Sequence, residues 1–450
     1  MIPVQIFPGG CGLSGRGRAM LIALALSLAV SPGAPQTAAE TACAASPPEN
    51  TEAPPAVCAG AGASADAAIW AALEGLSAHG LDPAAYRTEG ATTRSAWILA
   101  ATHLRQGVLD PDTLAPRVAA GEALTASFSA IPPGADTAAY RAALDALAPP
   151  SHLYAALKTE LARQHYALAT SSDPKTLAAA QSRHEKLLVS LEHLRWLPRE
   201  TTARQIYANI PTFEVIAVSG ETEISRHVAI YGELNRQTPE FSDSIAYLDF
   251  SPWWNVPASI ARKDKLPQFR ADPGAIERLD YRILDRSGKA VDAEAIDWNS
   301  VSAGAFPYRI RQAPGPANAL GQVKFMFPNA QSIYVHDTPD QDLFARSQRA
   351  ISAGCIRVQD AVALSEWVLE DTPGWDQARI ESVIGSRTAT RARLAAPMAI
   401  HIIYLTAFPA ADGSMAYAPD IYGRDGAVMQ ALNAFALQTA PREQLAGTEG

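Results

Sequence analysis

The chain lacks the motifs that announce most ligand chemistries. It has no glycine-rich phosphate loop, no H-E-x-x-H and no Cys/His spacing that would hold a metal, so neither a metal nor another cofactor is expected. Lys and Arg total 37 against 46 Asp and Glu, a net charge of −9, and no basic stripe runs along the chain, which argues against a nucleic-acid partner. No apolar run is long enough to read confidently as a membrane span. Residues 19–30, after Arg16 and Arg18 and before a stretch of small residues, have the form of a secretory signal, with cleavage between about 34 and 44; left uncleaved, the segment would serve as an anchor. Glu40-Thr41-Ala42 lacks the apolar residue that a lipoprotein box before Cys43 would need.

Cysteine is scarce as well, with four in 450 residues. In an exported protein thiols tend to pair. Cys11 would leave with the signal, and Cys43 could bridge to Cys58, which leaves Cys355 without a partner. Free cysteine is commonly a small buried hydrophobe. Here, however, Gly354 allows a sharp turn beside the sulfur, while Ser352 and Arg357 are polar groups that a purely structural core strand has no reason to carry. The functional reading is the stronger one.

A composition of 48% hydrophobic and 18% charged residues is that of a globular chain with room for two or three domains. Residues 45–65, rich in Ala, Pro, Thr and Glu, read as a tether. Residues 66–200 read as an α-helical scaffold, with amphipathic stretches at 97–104, 138–147, 153–168 and 176–194, the last closed by Pro198. From 201 to 425 the texture is mainly β: alternating apolar residues at 206–211, 213–218 and 227–231, a hairpin turn at Ser219-Gly220-Glu221, and further strands at 322–327, 332–336 and 399–406. The expected class is therefore α+β. Residues 253–312, with Trp253, Trp254 and several prolines, read as an insertion capping the site, although the two tryptophans also suit a core; 426–450 read as a tail.

Nineteen residues before Cys355 lies His336. An imidazole that takes the thiol proton is a common way to make a thiolate nucleophile at neutral pH. Side chains alternate along a strand, so Tyr334 and His336 share a face and Asp337 points away, to form a turn with Thr338-Pro339; a backbone carbonyl is then the expected partner of His336. The backbone N–H groups of Gly354 and Cys355 are candidates for an oxyanion hole, assisted by the Tyr334 hydroxyl. Asp360 is expected to cap the helix that follows. Arg357 could hold a substrate carboxylate, or pair with an acid inside the domain.

The stretch 195–425 resembles the large L,D-transpeptidases of Gram-negative bacteria. The likeness is carried by Leu194-Arg195-Trp196-Leu197-Pro198, by 252–260 (Pro252-Trp253-Trp254 through Ile260), by 311–321, by 324–329 (Lys324 to Asn329), by His336-Asp337-Thr338-Pro339 and by Ser352-Ala353-Gly354-Cys355-Ile356-Arg357. The resemblance implies a periplasmic cysteine acyltransferase of cell-wall organisation and cell shape, whose partners are peptidoglycan tetrapeptide stems, as donor and acceptor, and other cell-wall synthesis proteins. It implies that Cys355 attacks the L-centre carbonyl of diaminopimelate, with His336 as base and then acid. D-Ala leaves, and the amine of a second stem resolves the thioester; carbapenems would acylate the same sulfur. Asn329 and Trp254, which lie in matching segments, join Arg357 and Ser352 as candidate substrate contacts.

Two departures stand out. Many relatives have His before the Gly-Cys pair, where this chain has Ala353, which puts the burden of base on His336. Large members also carry a peptidoglycan-binding module ahead of the Arg-Trp-Leu-Pro segment, a place occupied here only by the helix at 176–194. The same thioester could be resolved by water, giving an L,D-carboxypeptidase, or could serve an endopeptidase. A noncatalytic wall-binding protein is the reading from a different class.

Overall fold

The computed structural model describes residues 59–439, apart from Glu89, Ala120, Glu200 and Thr201. The expected signal, the greater part of the tether and a Cys43–Cys58 bridge fall outside those residues. The N-terminal part is helical: α1 (Ala59–Leu73), α2 (Thr93–Gln106), α3 (Glu122–Ser129), α4 (Thr137–Asp145), α5 (His152–Thr170) and α6 (Pro174–Trp196). Starts are set by side chains that accept a backbone N–H of the first turn, Asp136 for α4, Ser151 for α5 and Asp173 for α6. In α6, Leu187, Leu191 and Leu194 recur at helical spacing and are buried with Leu153, Leu157 and Leu161 of α5, each such side chain contributing about 1.5–3 kcal/mol. The fully buried Arg195 is satisfied by Glu192, the Tyr154 hydroxyl and the His79 carbonyl.

Residues 204–417 supply fifteen strands. In chain order β1–β4 are Arg204–Asn209, Glu214–Ser219, Thr222–Gly232 and Phe241–Phe250. Next come β5 (Trp254–Asn255), β6 (Tyr281–Leu284), β7 (Ala290–Val291), β8 (Arg309–Gln312), β9 (Val323–Met326) and β10 (Val335–His336). β11 (Ala350–Ser352), β12 (Ile356–Val358), β13 (Thr390–Ile403), β14 (Ala407–Pro409) and β15 (Met415–Tyr417) complete them. The main sheet runs β11-β3-β12-β10-β9-β4-β13-β1-β2, and β2 also pairs with β3, so the sheet closes on itself. Ser219 pairs with Thr222 across Gly220-Glu221, the hairpin expected from that turn.

The inner face buries Ile206, Val215, Ala229, Leu248, Phe325, Val335, Ile356 and Ile400 together with side chains of two helices, Ala361–Leu369 and Gln377–Ser386. On the outer face, Tyr207, Ile216, Val218 and Ile403 pack against α5 and α6. The helical part is thus clamped to one wall of the closed sheet.

The insertion has its own core and sheet. β5, β8, β6 and β7 pair in that order, and Trp254, Leu266, Phe269, Tyr281, Trp298, Ile310 and Leu320 pack together. It therefore runs beyond the expected end at 312, because Asn318 ties it shut by donating to the carbonyls of Pro252 and Ala313. The expected tail is instead a helix over Arg424–Thr439, which contributes Val428 to the helical core and sets Phe435 against Tyr86 and His103.

Three buried histidines make the fold acid-sensitive. Burial pushes His79, His103 and His401 down to about 4. In the unfolded chain they would titrate near 6.5, so between those values the unfolded state binds more protons. Their contribution is fully present above the ordinary histidine value and is lost as the pH falls toward 4. We expect the melting temperature at pH 4.5 to lie about 10 °C or more below that at pH 7.5; equal values would contradict these protonation states.

Candidate active site

The nucleophile turn follows from strand pairing. β10 runs parallel to β12 with Val335 opposite Ile356 and His336 opposite Arg357, while Val335 and Ile356 face the inner core. Period-two alternation then places Tyr334, His336, Cys355 and Arg357 together on the outer face, beneath the insertion. All four line one cavity of about 260 Å³, whose wall on the insertion side is Trp254, Ile260, Asp264, Lys265, Ala319 and Leu320. An ion pair from Arg236 to Asp264, 2.7 Å, ties the main sheet to the insertion at this cavity.

Gly354 adopts φ +114°, a conformation that side-chain-bearing residues rarely take. A Cβ there would meet Ile333 only at 3.5 Å, so backbone conformation rather than space demands glycine. Ser352 pins the turn, since its hydroxyl donates to the Cys355 carbonyl (2.6 Å) and accepts the Gly354 N–H (3.1 Å). This corrects the expected oxyanion hole. The Gly354 N–H is already committed, whereas the Cys355 N–H has no partner among the described hydrogen bonds. It also gives the buried Ser352 hydroxyl a structural task in place of an evident substrate contact.

Thr238, wholly buried, holds the turn from behind, donating to the Gly354 carbonyl (2.8 Å) and accepting the Gly232 N–H (2.9 Å). Thr238→Val would leave two buried backbone groups unpaired at a cost of about 2–4 kcal/mol. A clearly lower melting temperature with reduced turnover is expected, and an unchanged protein would show that this support is dispensable.

The Cys355 thiol is half-buried and donates to the Ser332 carbonyl at 3.8 Å. Burial pushes its pKa up, opposed by the Tyr334 N–H and hydroxyl and by the charges of Lys324 and Arg357. His336 is buried and donates through Nδ1 to the Asp337 carbonyl at 2.5 Å, which fixes the tautomer with a bare Nε2. Burial, then the charge of Arg357, push it down to about 3. The resting pair is neutral thiol and neutral imidazole.

The Asp337 carboxylate points elsewhere. It accepts the Gln322 N–H and a Gln341 amide hydrogen and interacts with the Thr338 N–H, so it holds the start of β9 as well as the turn at Thr338-Pro339. Tyr334 stands 5.5 Å from the His336 ring, and burial raises its hydroxyl well above the ordinary value. The Trp254 N–H interacts with that hydroxyl electrostatically, yet no hydrogen bond of ordinary geometry joins them. Arg357 is paired with Asp340 at 3.4 Å. Asn329 does not line the cavity; its amide group serves the backbone of Phe327 and Ile333 and so shapes the loop leading to β10. Asp360 sits at the helix start at φ +53° without a capping bond, so the expected cap is absent.

Sequence reasoning gave Lys324 no role. β9 is antiparallel to β10, with Lys324 opposite His336, and its ammonium lies 3.7 Å from the Tyr334 ring centre. Arg357, His336 and Lys324 therefore form one row across three strands, two cations flanking the imidazole. The available signal was a lone lysine in the apolar run Val323-Lys324-Phe325-Met326.

A thiol, a neutral imidazole with a free nitrogen and an unengaged N–H around one partly closed cavity are the groups that cysteine acyl transfer requires. Residues 203–377 match the model of the YkuD family, the L,D-transpeptidase catalytic domain. Over 241 residues the chain is 36% identical to a Haemophilus influenzae protein named "Putative L,D-transpeptidase", an alignment covering 54% of this chain and 48% of that one. The chain thus spans about half the length of this curated relative. A solved L,D-transpeptidase from Mycobacterium smegmatis aligns with 44% of this chain and 58% of its own at 10% identity and a TM-score of 0.21, too slight a likeness to support any inference.

Proposed function

We propose that the protein is a periplasmic peptidoglycan L,D-transpeptidase acting through Cys355. The observation that carries this reading is the placement of Cys355, His336, Tyr334 and Arg357 around one cavity beneath the insertion, within the stretch that matches that family model. The Sγ proton passes to His336 Nε2, and the sulfur attacks the L-centre carbonyl of diaminopimelate in a tetrapeptide stem. The developing oxyanion is met by the Cys355 N–H and the Tyr334 hydroxyl. As the carbon–nitrogen bond breaks, the imidazolium protonates the departing D-Ala amine and a thioester remains. The amine of a second stem then attacks, returning a proton through His336, and a diaminopimelate-to-diaminopimelate cross-link leaves the sulfur free.

Lys324 and Arg357 favour the thiolate and oppose an isolated imidazolium, so the ion pair forms together rather than by stepwise charging. Arg357, exchanging Asp340 for a substrate carboxylate, orients the donor. The insertion acts as a lid that excludes water from the thioester.

Incubation with purified tetrapeptide muropeptides and mass analysis of the products tests the assignment. Cross-linked dimers lacking one D-Ala are expected. Tripeptide alone would identify water as the acceptor and make the protein an L,D-carboxypeptidase.

A further inference from the structure

A second recess opens on the same face of the sheet as Cys355, beyond Tyr334. It is an open groove of about 600 Å³ lined by Tyr247, Trp253, Asn255, Lys324, Met326 and Arg391. Strand register makes it continuous with the catalytic row. Lys324 stands opposite His336, Asp249 opposite Lys324 and Arg391 opposite Asp249, so Arg357, His336, Lys324, Asp249 and Arg391 cross five neighbouring strands in one line. Adjacent strands lie about 4.8 Å apart, which puts the near wall of the groove one strand from the imidazole. The edge of the insertion divides the two recesses: Trp254 lines the cavity of Cys355, and its neighbour Trp253 lines the groove.

One charge in the groove is uncommitted. Both oxygens of Asp249 accept from Arg391, at 2.7 and 3.0 Å, and the Arg391 guanidinium lies over the Tyr247 ring at 3.9 Å. Lys324, part-exposed on the groove wall, has no ion-pair partner among the described residues, and its ammonium rests on the Tyr334 ring at 3.7 Å. It lies near enough to Cys355 for the two charges to act on each other. Trp253 is 37% exposed, with the Arg311 guanidinium 4.5 Å from its ring. An unpaired cation beside an open aromatic ring suits a peptide that carries a carboxylate.

The reaction proposed above needs two stems, and the cavity beneath the insertion takes one, the donor. Once the thioester has formed, the second stem must reach the same carbonyl carbon from outside that cavity. Its nucleophile sits on the D-centre of diaminopimelate, a carbon that bears an amine and a carboxylate together. We propose that the groove binds the acceptor stem, with Lys324 holding this carboxylate so that the amine beside it faces the thioester. The inference rests on the function given above. The amine nitrogen bonds to the thioester carbon, the carbon–sulfur bond breaks, and the amine proton passes to His336 Nε2 and from there to the sulfur.

The test separates the two half-reactions. A tetrapeptide stem serves as donor, and a tripeptide stem, which has no D-Ala to lose, serves as acceptor. Acyl-enzyme formed without acceptor is followed by intact mass; dimer and hydrolysed donor are then measured as the acceptor concentration is raised. Ala389→Trp fills the groove from an exposed position, and Trp253→Ala removes its aromatic wall. Both are expected to raise the half-saturating acceptor concentration about fivefold or more, while the acyl-enzyme forms at the parent's rate. An acceptor amidated at the D-centre carboxyl should be about tenfold poorer than the free acid with the parent, and the two should be equal with Lys324→Met. Both acceptors resolve the same acyl-enzyme, so any effect of Lys324 on the thiolate cancels in this comparison. Variants that use the acceptor as an acylating, cross-linking parent does overturn the groove alone. Slower acylation in Ala389→Trp would assign the groove to the donor and overturn it as well, as would a parent that acylates yet yields only tripeptide at every acceptor concentration. A parent that never becomes acylated removes the transpeptidase reading, and this inference with it.

Discussion

Cys355→Ala is expected to lower cross-link formation by about 10⁴-fold or more, to the limit of detection, while the melting temperature stays close to that of the parent. The loss is large because no other thiol or hydroxyl in the cavity can replace the sulfur. Ser352 is bound on both sides to the turn, and the Tyr334 hydroxyl is held protonated by burial. The fold should survive because the sulfur makes one long contact, to the Ser332 carbonyl, and removing it leaves no buried group unpaired of the kind that Thr238→Val would create. Turnover retained in a folded Cys355→Ala protein would remove the thioester from the mechanism.

His336→Ala should cost about 10²–10⁴ in kcat/KM, the usual worth of a positioned general base. A structural role for the ring would also reduce activity, so the pH profile of the parent is the sharper readout. The base works as neutral imidazole, and His336 is pushed down to about 3, so it remains competent far below the ordinary histidine value. For the parent, kcat/KM per folded molecule should hold nearly level from pH 8 down to about pH 5.5, although the other buried histidines already cost the fold stability below about 6.5. An acid limb centred near 6.5 would mean that His336 is charged more easily than its surroundings allow, or that another group is the base.

Much of this organisation is local, and local features are legible in a sequence. The leucine spacing of α5 and α6, the Gly220 hairpin, the Gly354–Cys355 turn and the shared face of Tyr334 and His336 each depend on a few neighbouring residues. What could not be read depends on partners distant in the chain. β4 (Phe241–Phe250) was not recognised because its outward residues are polar and its strand neighbours, β9 and β13, lie about eighty and a hundred and fifty residues further on. The sheet closes through β2 and β3 pairing that no periodicity announces. Parallel pairing of β10 with β12, which sets Arg357 beside His336, joins two very short strands twenty residues apart. The Gly354 N–H looked free because its occupant, the Ser352 hydroxyl, can be identified only once the turn is built.

The central claim is that Cys355 becomes acylated by a stem peptide. Intact-mass spectrometry of the protein quenched in acid during turnover of a tetrapeptide donor, without acceptor, measures this directly. The account predicts an adduct equal to the donor less D-Ala, carried on the peptide containing Cys355, released by hydroxylamine and missing from Cys355→Ala. Cross-linked product with no such adduct, or an adduct on any other residue, would contradict it.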